Sequence, residues 1–130
     1  MAEHPNAVLT RRGYNAFVEG DLDTLNEVFS PQATWHQPDT GVIAGDYTGR
    51  DRVFQFFAKL SELTGGSYKV EPVDILADDD RAVAIQHSTA VRDGKHLDTQ
   101  QVAVFEIHDG MVTDIRLYPS DEKTEDSFWS

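Results

Sequence analysis

Two Asp-Gly pairs, Asp93-Gly94 and Asp109-Gly110, sit between long runs rich in β-branched and aromatic residues and limit the possible folds more than any other feature. A two-residue hairpin turn needs positive φ at both central positions, which Asp and Gly tolerate and most residues do not. The pairs therefore predict strands over 81–92, 95–108 and 111–119, and a fourth run over 68–77 joins them across the turn at Asp78-Asp79-Asp80. With two-residue turns the register follows: His87 lies opposite Gln100, Ile85 opposite Val102, and Val104 opposite both Val83 and Ile115.

Before Gly66 the period is helical. Val8, Leu9, Arg12, Ala16 and Phe17 mark a first helix stopped by Gly20; Asp21 then caps a short second helix carrying Leu22, Leu25, Val28 and Phe29, ended by Pro31. Ala33 to Gln37 reads as a strand, and Pro38 to Gly49, with three glycines, as a loop that can act as a mobile lid. Val53, Phe54, Phe57, Leu60 and Leu63 then form the apolar stripe of a third helix. Helices first and a strand meander afterwards predict an α+β cone-shaped half-barrel, with three N-terminal helices packed on a curved antiparallel sheet. At 130 residues, with no internal repeat or low-complexity linker, residues 1–130 read as a single domain with an acidic tail over 120–130.

Alternation divides the strands into two faces. One carries Val83, Ile85, His87, Gln100, Val102, Val104, Ile115 and Leu117; the other carries Ala84, Gln86, Ser88, Thr99, Gln101, Ala103, Phe105, Arg116 and Tyr118. The more apolar first face is expected to meet the helices and line a pocket, with His87 and Gln100 as its polar pair. The second is expected to lie outside and to pack on a second copy, giving a homodimer through the outer sheet face.

The charge balance, 23 acidic against 11 basic side chains for a formal −12, repels phosphate backbones and anionic lipid and disfavours nucleic-acid and membrane partners. There is no cysteine, no signal-peptide pattern and no apolar run of membrane-spanning length, so the expected location is cytoplasmic. No histidine pair has ligand spacing, Asp78-Asp79-Asp80 lacks the rest of a calcium loop, and the glycines before Arg50 do not form a phosphate loop. No metal and no cofactor are expected.

The segments Val-Glu-Gly-Asp-Leu-Asp-Thr-Leu at 18–25, Ala-Thr-Trp-His-Gln-Pro at 33–38, Gly-Asp-Tyr-Thr-Gly-Arg-Asp at 45–51 and the hairpin around Asp109-Gly110 resemble the nuclear-transport-factor-2-like superfamily. The SnoaL-like polyketide-cyclase and ketosteroid-isomerase branch is most similar. In ketosteroid isomerases, as the resemblance implies, a tyrosine and a protonated aspartic acid form an oxyanion hole and another aspartate moves the proton, a case among the standard examples of tuned carboxyl groups. Carried onto this chain, the tyrosine falls at Tyr14, the base position at Gln37 and the neutral acid among Val102 to Val104. Glutamine and valine cannot perform those roles, so the steroid-isomerase mechanism is disfavoured. Limonene-epoxide-hydrolase relatives need an Asp-Arg-Asp set in the pocket; Asp114 and Arg116 are expected on the outer face, so that activity is not carried over.

The expected function is binding of a small, largely apolar, carbonyl-bearing molecule, with isomerisation, cyclisation or hydration as the accessible chemistry. Tyr14 would donate to the carbonyl oxygen and His87 would move the proton. Trp35, Gln37, Phe57, Val83, Ile85, Gln100, Val102, Ile115 and Leu117 would contact the ligand. A core histidine satisfied by Gln100 is the plain alternative for His87, and packing for Trp35. The alternative for the whole chain is a non-catalytic binding or dimer-forming module. Phe128 and Trp129, at the end of the tail, are expected to dock on the cone or on a neighbouring subunit.

Overall fold

A computed structural model describes residues 3–38 and 41–130. Helix α1 (Pro5–Glu19) is capped by the His4 side chain and closed by Gly20 at φ 68°. Helix α2 (Leu22–Val28) is capped by Asp21, whose carboxylate accepts from the Thr24 amide. Strand β1 (Phe29–Gln37) follows directly, then a short 3-10 turn over Gly41–Ile43, strand β2 (Gly45–Thr48) and helix α3 (Arg50–Leu63). The expected loop at 38–49 is thus partly ordered as an edge strand, with Ile43 buried; Asp39 and Thr40 lie outside the described residues.

Strands β3 (Lys69–Ala77), β4 (Arg81–Arg92), β5 (Lys95–His108) and β6 (Met111–Pro119) complete one sheet in the order β2-β1-β6-β5-β4-β3. Asp93 and Asp109 both take φ 51°, and each following glycine is also positive, so both Asp-Gly pairs make the expected turns. The sheet is mixed, not wholly antiparallel, because β1 runs parallel to β6. The tail is helical: α4 (Glu122–Trp129) is capped by Asp121 and buries Glu125, Phe128 and Trp129. Four helices therefore pack against an unclosed six-stranded sheet, an α+β cone with one helix more than expected.

The β4–β5 register is the predicted one, with His87 opposite Gln100, Ile85 opposite Val102 and Val83 opposite Val104. At the next hairpin a bulge shifts β6 by one residue, so Val104 faces Arg116 and Ile115 faces Phe105. The assignment of faces is corrected. Ala82, Ala84, Gln86, Ser88, Gln101, Ala103 and Phe105 are buried against the helices, joined by Ile115 and Leu117 of β6. Val83, Ile85, His87, Gln100, Val102 and Val104 lie on the opposite face. The physical reason is space. The helices bring Tyr14, Phe17, Phe54, Phe56 and Phe57 inward, and rings of that size leave room for small side chains over much of β4 and β5, where three alanines are wholly inaccessible.

Candidate functional site in the cone

The inward residues of β4 and β5 carry a polar chain through an otherwise aromatic interior. The Tyr14 hydroxyl on α1 donates to Gln86 Oε1 at 2.5 Å, and Gln86 Nε2 donates to Gln101 Oε1 at 3.0 Å. The Ser88 hydroxyl donates to the same oxygen at 2.9 Å and lies 3.3 Å from the Tyr68 hydroxyl. Gln101 Nε2 then donates to Glu125 Oε1 at 3.0 Å, joining the sheet to α4. Gln86, Gln101 and Glu125 are all buried, and Oε2 of Glu125 has no hydrogen-bond partner among the described residues.

Burial pushes the Tyr14 hydroxyl well above its ordinary value and that of Tyr68 up to about 12, so both stay neutral donors. Burial also raises the Glu125 carboxyl, with Asp121 adding to the effect and the Gln101 hydrogen bond opposing it. The interior therefore favours uncharged groups throughout.

Three spaces adjoin this chain. A cavity of about 50 Å³ lies among Tyr14, Phe17, Phe29, Trp35, Phe57 and Gln86. A smaller one, about 10 Å³, lies beneath α4 among Gln37, Gln101, Leu117, Glu125 and Trp129. Outside, an open groove of about 850 Å³ runs between the end of α1, α2, α3 and strand β3. Tyr68 borders all three, and Phe17, Leu25, Phe57 and Val70 border both the groove and the larger cavity. The ring of Phe17 meets Phe57 edge-on at 5.0 Å and Tyr68 at 6.1 Å, so these rings separate groove from interior.

Of the residues expected at the site, Tyr14, Trp35, Gln37, Phe57 and Leu117 line these inner spaces. Trp35 Nε1 donates to Gln37 Oε1 at 3.0 Å, and Phe57 packs edge-on against Trp35 at 5.2 Å. Ile115 is buried in the core. Val83, Ile85, Gln100 and Val102 lie outside, and so does His87, because a strand that turns Gln86 and Ser88 inward must turn its neighbours out. His87 Nε2 lies 2.6 Å from Asp98 Oδ1 and its Nδ1 3.6 Å from Glu71, and its ring stands at the rim of the groove, on the sheet face opposite to Gln86, the partner of Tyr14. The Asp98 hydrogen bond is the main cause of its raised pKa.

Sequence reasoning missed Gln86, Ser88, Gln101, Tyr68 and Glu125. Two glutamines and a serine sharing one alternation set with alanines were a usable signal, since a small polar set suits a buried network as well as a surface. Asp121 followed by Glu125, Phe128 and Trp129 at helical spacing was another. The outer histidine His36 bridges Asp46 and Asp114 at 2.8 and 2.7 Å. Among the described residues no group of three or more His, Cys, Asp or Glu is arranged to hold a metal ion, and no helix is long and apolar enough to cross a membrane.

Residues 10–115 match the family model of the SnoaL-like domain. An uncharacterized protein of Mycobacterium tuberculosis, Rv0034, is 28% identical over 100% of both chains. Among solved structures, Bal32a from a soil-derived mobile gene cassette superposes with a TM-score of 0.93 at 42% identity, covering 97% of each chain. A nuclear-transport-factor-2-like protein of unknown function from Burkholderia pseudomallei shares the fold, with a TM-score of 0.86 at 18% identity over 98% of this chain and 99% of the other.

Proposed function

Since the chain belongs to the SnoaL-like family of the nuclear-transport-factor-2-like superfamily, we propose that its cone binds a small, neutral, largely apolar molecule bearing a carbonyl or hydroxyl oxygen. The observation that carries this reading is the buried polar chain Tyr14–Gln86–Gln101–Glu125, whose Tyr14 and Gln86 border an aromatic cavity that adjoins the groove. A buried polar network with an unpartnered carboxyl oxygen is costly to keep in a mere core, where apolar side chains would pack as well. An inner cavity of about 50 Å³ holds only a molecule's tip, so the body would lie in the groove and its oxygen would pass between Phe17, Phe57 and Tyr68 to the Gln86 amide. No lysine or arginine lines either inner space, which disfavours carboxylates and phosphates as the inserted group. The chemistry open to such a site is proton transfer on the bound oxygen compound, an isomerisation, cyclisation or hydration, with the Tyr14 hydroxyl as hydrogen-bond donor once it exchanges Gln86 Oε1 for the ligand oxygen.

The test is an NMR titration with 1-naphthol and with 1-naphthoate, following the side-chain amides of Gln86 and Gln101. Saturable shifts of both amides with the phenol, and at least tenfold weaker binding of the carboxylate, are expected. Shifts confined to the outer sheet face, or equal binding of the anion, would refute the reading.

A second reading, self-association, is favoured by the outer face itself. Leu76, Val83 and Val104 form one cross-strand row, and Ile85, Val102 and Tyr118 form the next. Leu76, Ile85, Val102 and Tyr118 are exposed, an apolar patch of the kind that marks an interface. A homodimer through this face is expected in light scattering, and V102E is expected to convert it to a monomer; a monomeric wild type at about 100 μM, well above ordinary stable-dimer dissociation constants, refutes it.

A further inference from the structure

Helix α4 covers one end of the cone through three kinds of contact. Phe128 and Trp129 are buried, their rings edge-on at 4.7 Å. The β4–β5 hairpin grips the last turn: Arg92 Nη1 donates to the carbonyls of Phe128 and Ser130 at 3.1 and 2.9 Å, and Lys95 Nζ donates to that of Ser127 at 3.1 Å. These cations complement the negative end of the helix. The third contact is Glu125, only 2% exposed, with one oxygen on Gln101 and the other without a partner.

Among the described residues that border that carboxyl, none carries a positive charge. On α4 itself Asp121 is the charged group that acts on it, and it is acidic. From β5 comes Gln101, from β6 Leu117 and from β1 Trp35 and Gln37, all uncharged, and Tyr68 before β3 stays neutral. Arg92 and Lys95 are engaged by the carbonyls of the last turn, and the Glu125 carboxyl bonds to Gln101 through one oxygen while the other has no partner among the described residues.

We propose that α4 is a lid on the cone, latched while Glu125 is uncharged and released as that carboxyl ionises. An ionised Glu125 would hold one hydrogen bond in an apolar surrounding, and solvating it requires the helix to leave. The docked state therefore binds the proton more tightly than the released state. Docking is firmest at and below the ordinary carboxylate value of 4.5, weakens as pH rises from there through the raised docked value, and then levels off. Asp121 sets the acid limit. Its carboxylate caps the amides of Lys123 and Thr124, which holds its pKa low, and that cap is lost as pH falls through the lowered value. Mildly acid solution thus closes the lid and neutral solution loosens it. Access of a ligand to the cone is a consequence that rests on the function proposed above; the latch does not.

The experiment is amide hydrogen exchange of residues 121–130 in the full chain between pH 5 and pH 8, corrected for intrinsic exchange, in wild type, E125Q and E125A. Wild-type protection is expected to fall several-fold across that range. E125Q, which can still accept from Gln101 and cannot ionise, should show no such slope, and E125A should also lack it even if its protection is lower throughout. A slope in E125Q equal to that of wild type, or a flat wild-type profile, overturns the latch. Failure of 1-naphthol to bind in a protein whose α4 does release counts against the cone as a ligand site and leaves the latch standing.

Discussion

Replacing Gln101 and Gln100 in turn by leucine tests which face of the sheet is the inside. Gln101 accepts from Gln86 Nε2 and from Ser88 Oγ and donates to Glu125 Oε1. In Q101L the Gln86 amide loses its acceptor and the Glu125 carboxyl loses the one partner it has among the described residues, while Ser88 keeps the Tyr68 hydroxyl. Leaving a buried polar group unpaired costs about 1–3 kcal/mol, so two such groups give roughly 2–6 kcal/mol, partly offset by the apolar leucine. That is a large share of the ~5–15 kcal/mol by which such a domain is stable. Gln100 is the adjacent residue on the same strand and is exposed, so Q100L should change stability by less than about 0.5 kcal/mol. Urea unfolding followed by circular dichroism reads both, provided the slope against denaturant is unchanged. A loss below about 1 kcal/mol in Q101L, or the larger loss in Q100L, would refute the network as an energetic feature and reopen the assignment of faces.

G41A should weaken the docking of α4, because Gly41 sits at φ 71° and an added Cβ would lie 2.4 Å from the Trp129 carbonyl oxygen; raised exchange at 121–130 with the sheet still protected is the expected result. His87 should titrate above its ordinary 6.5 in an NMR pH series, and D98N should bring it back down, since the Asp98 hydrogen bond is the first cause of the shift. The sign follows from linkage: the favourable Asp98 contact is fully present below pH 6.5 and is lost as pH rises through the raised value, so D98N should cost stability at pH 5.5 and less at pH 9.

Much of the architecture was legible because local chemistry and tertiary structure agree over most of the chain. The bounds of β4, β5 and β6 follow from two Asp-Gly turns whose positive φ values few other residue pairs accept. The start of helix α2 follows from the Asp21 cap, whereas its end comes earlier than Pro31 implies, at Val28, and Pro31 lies inside β1. The choice of inner face was not legible from alternation, because alternation separates two sets without saying which meets the core. Ranking the sets by hydrophobicity picked the valines and isoleucines, yet much of the volume offered by the helices was already taken by their own aromatic rings, and Ala82, Ala84, Gln86, Ser88, Gln101 and Ala103 fit beneath them, with Phe105 as the large member of the set. The one-residue bulge opposite Glu106 was equally silent. Thr113 is the extra residue there, its hydroxyl satisfied by the Glu106 carbonyl, and nothing in a β-branched run announces it.

The same exchange of faces changes where proton chemistry can reside. The resemblance to ketosteroid isomerases implied carboxyl groups at positions that here carry Gln37 and the Val102–Val104 stretch, whose inward member is Ala103. His87, expected to supply the missing proton carrier, is turned out toward Asp98 and Glu71. Among the described residues bordering the two inner spaces, Glu125 is then the carboxyl group, and it arrives on the helix that ends the chain, not on the sheet. Tyr14 and Tyr68 remain neutral donors throughout the ordinary pH range, so under the function proposed above a carboxyl proton carrier comes to these spaces from α4. If α4 is the lid proposed above, closing the cone also brings in that carboxyl, because Glu125 is the side chain that joins α4 to the polar network through Gln101.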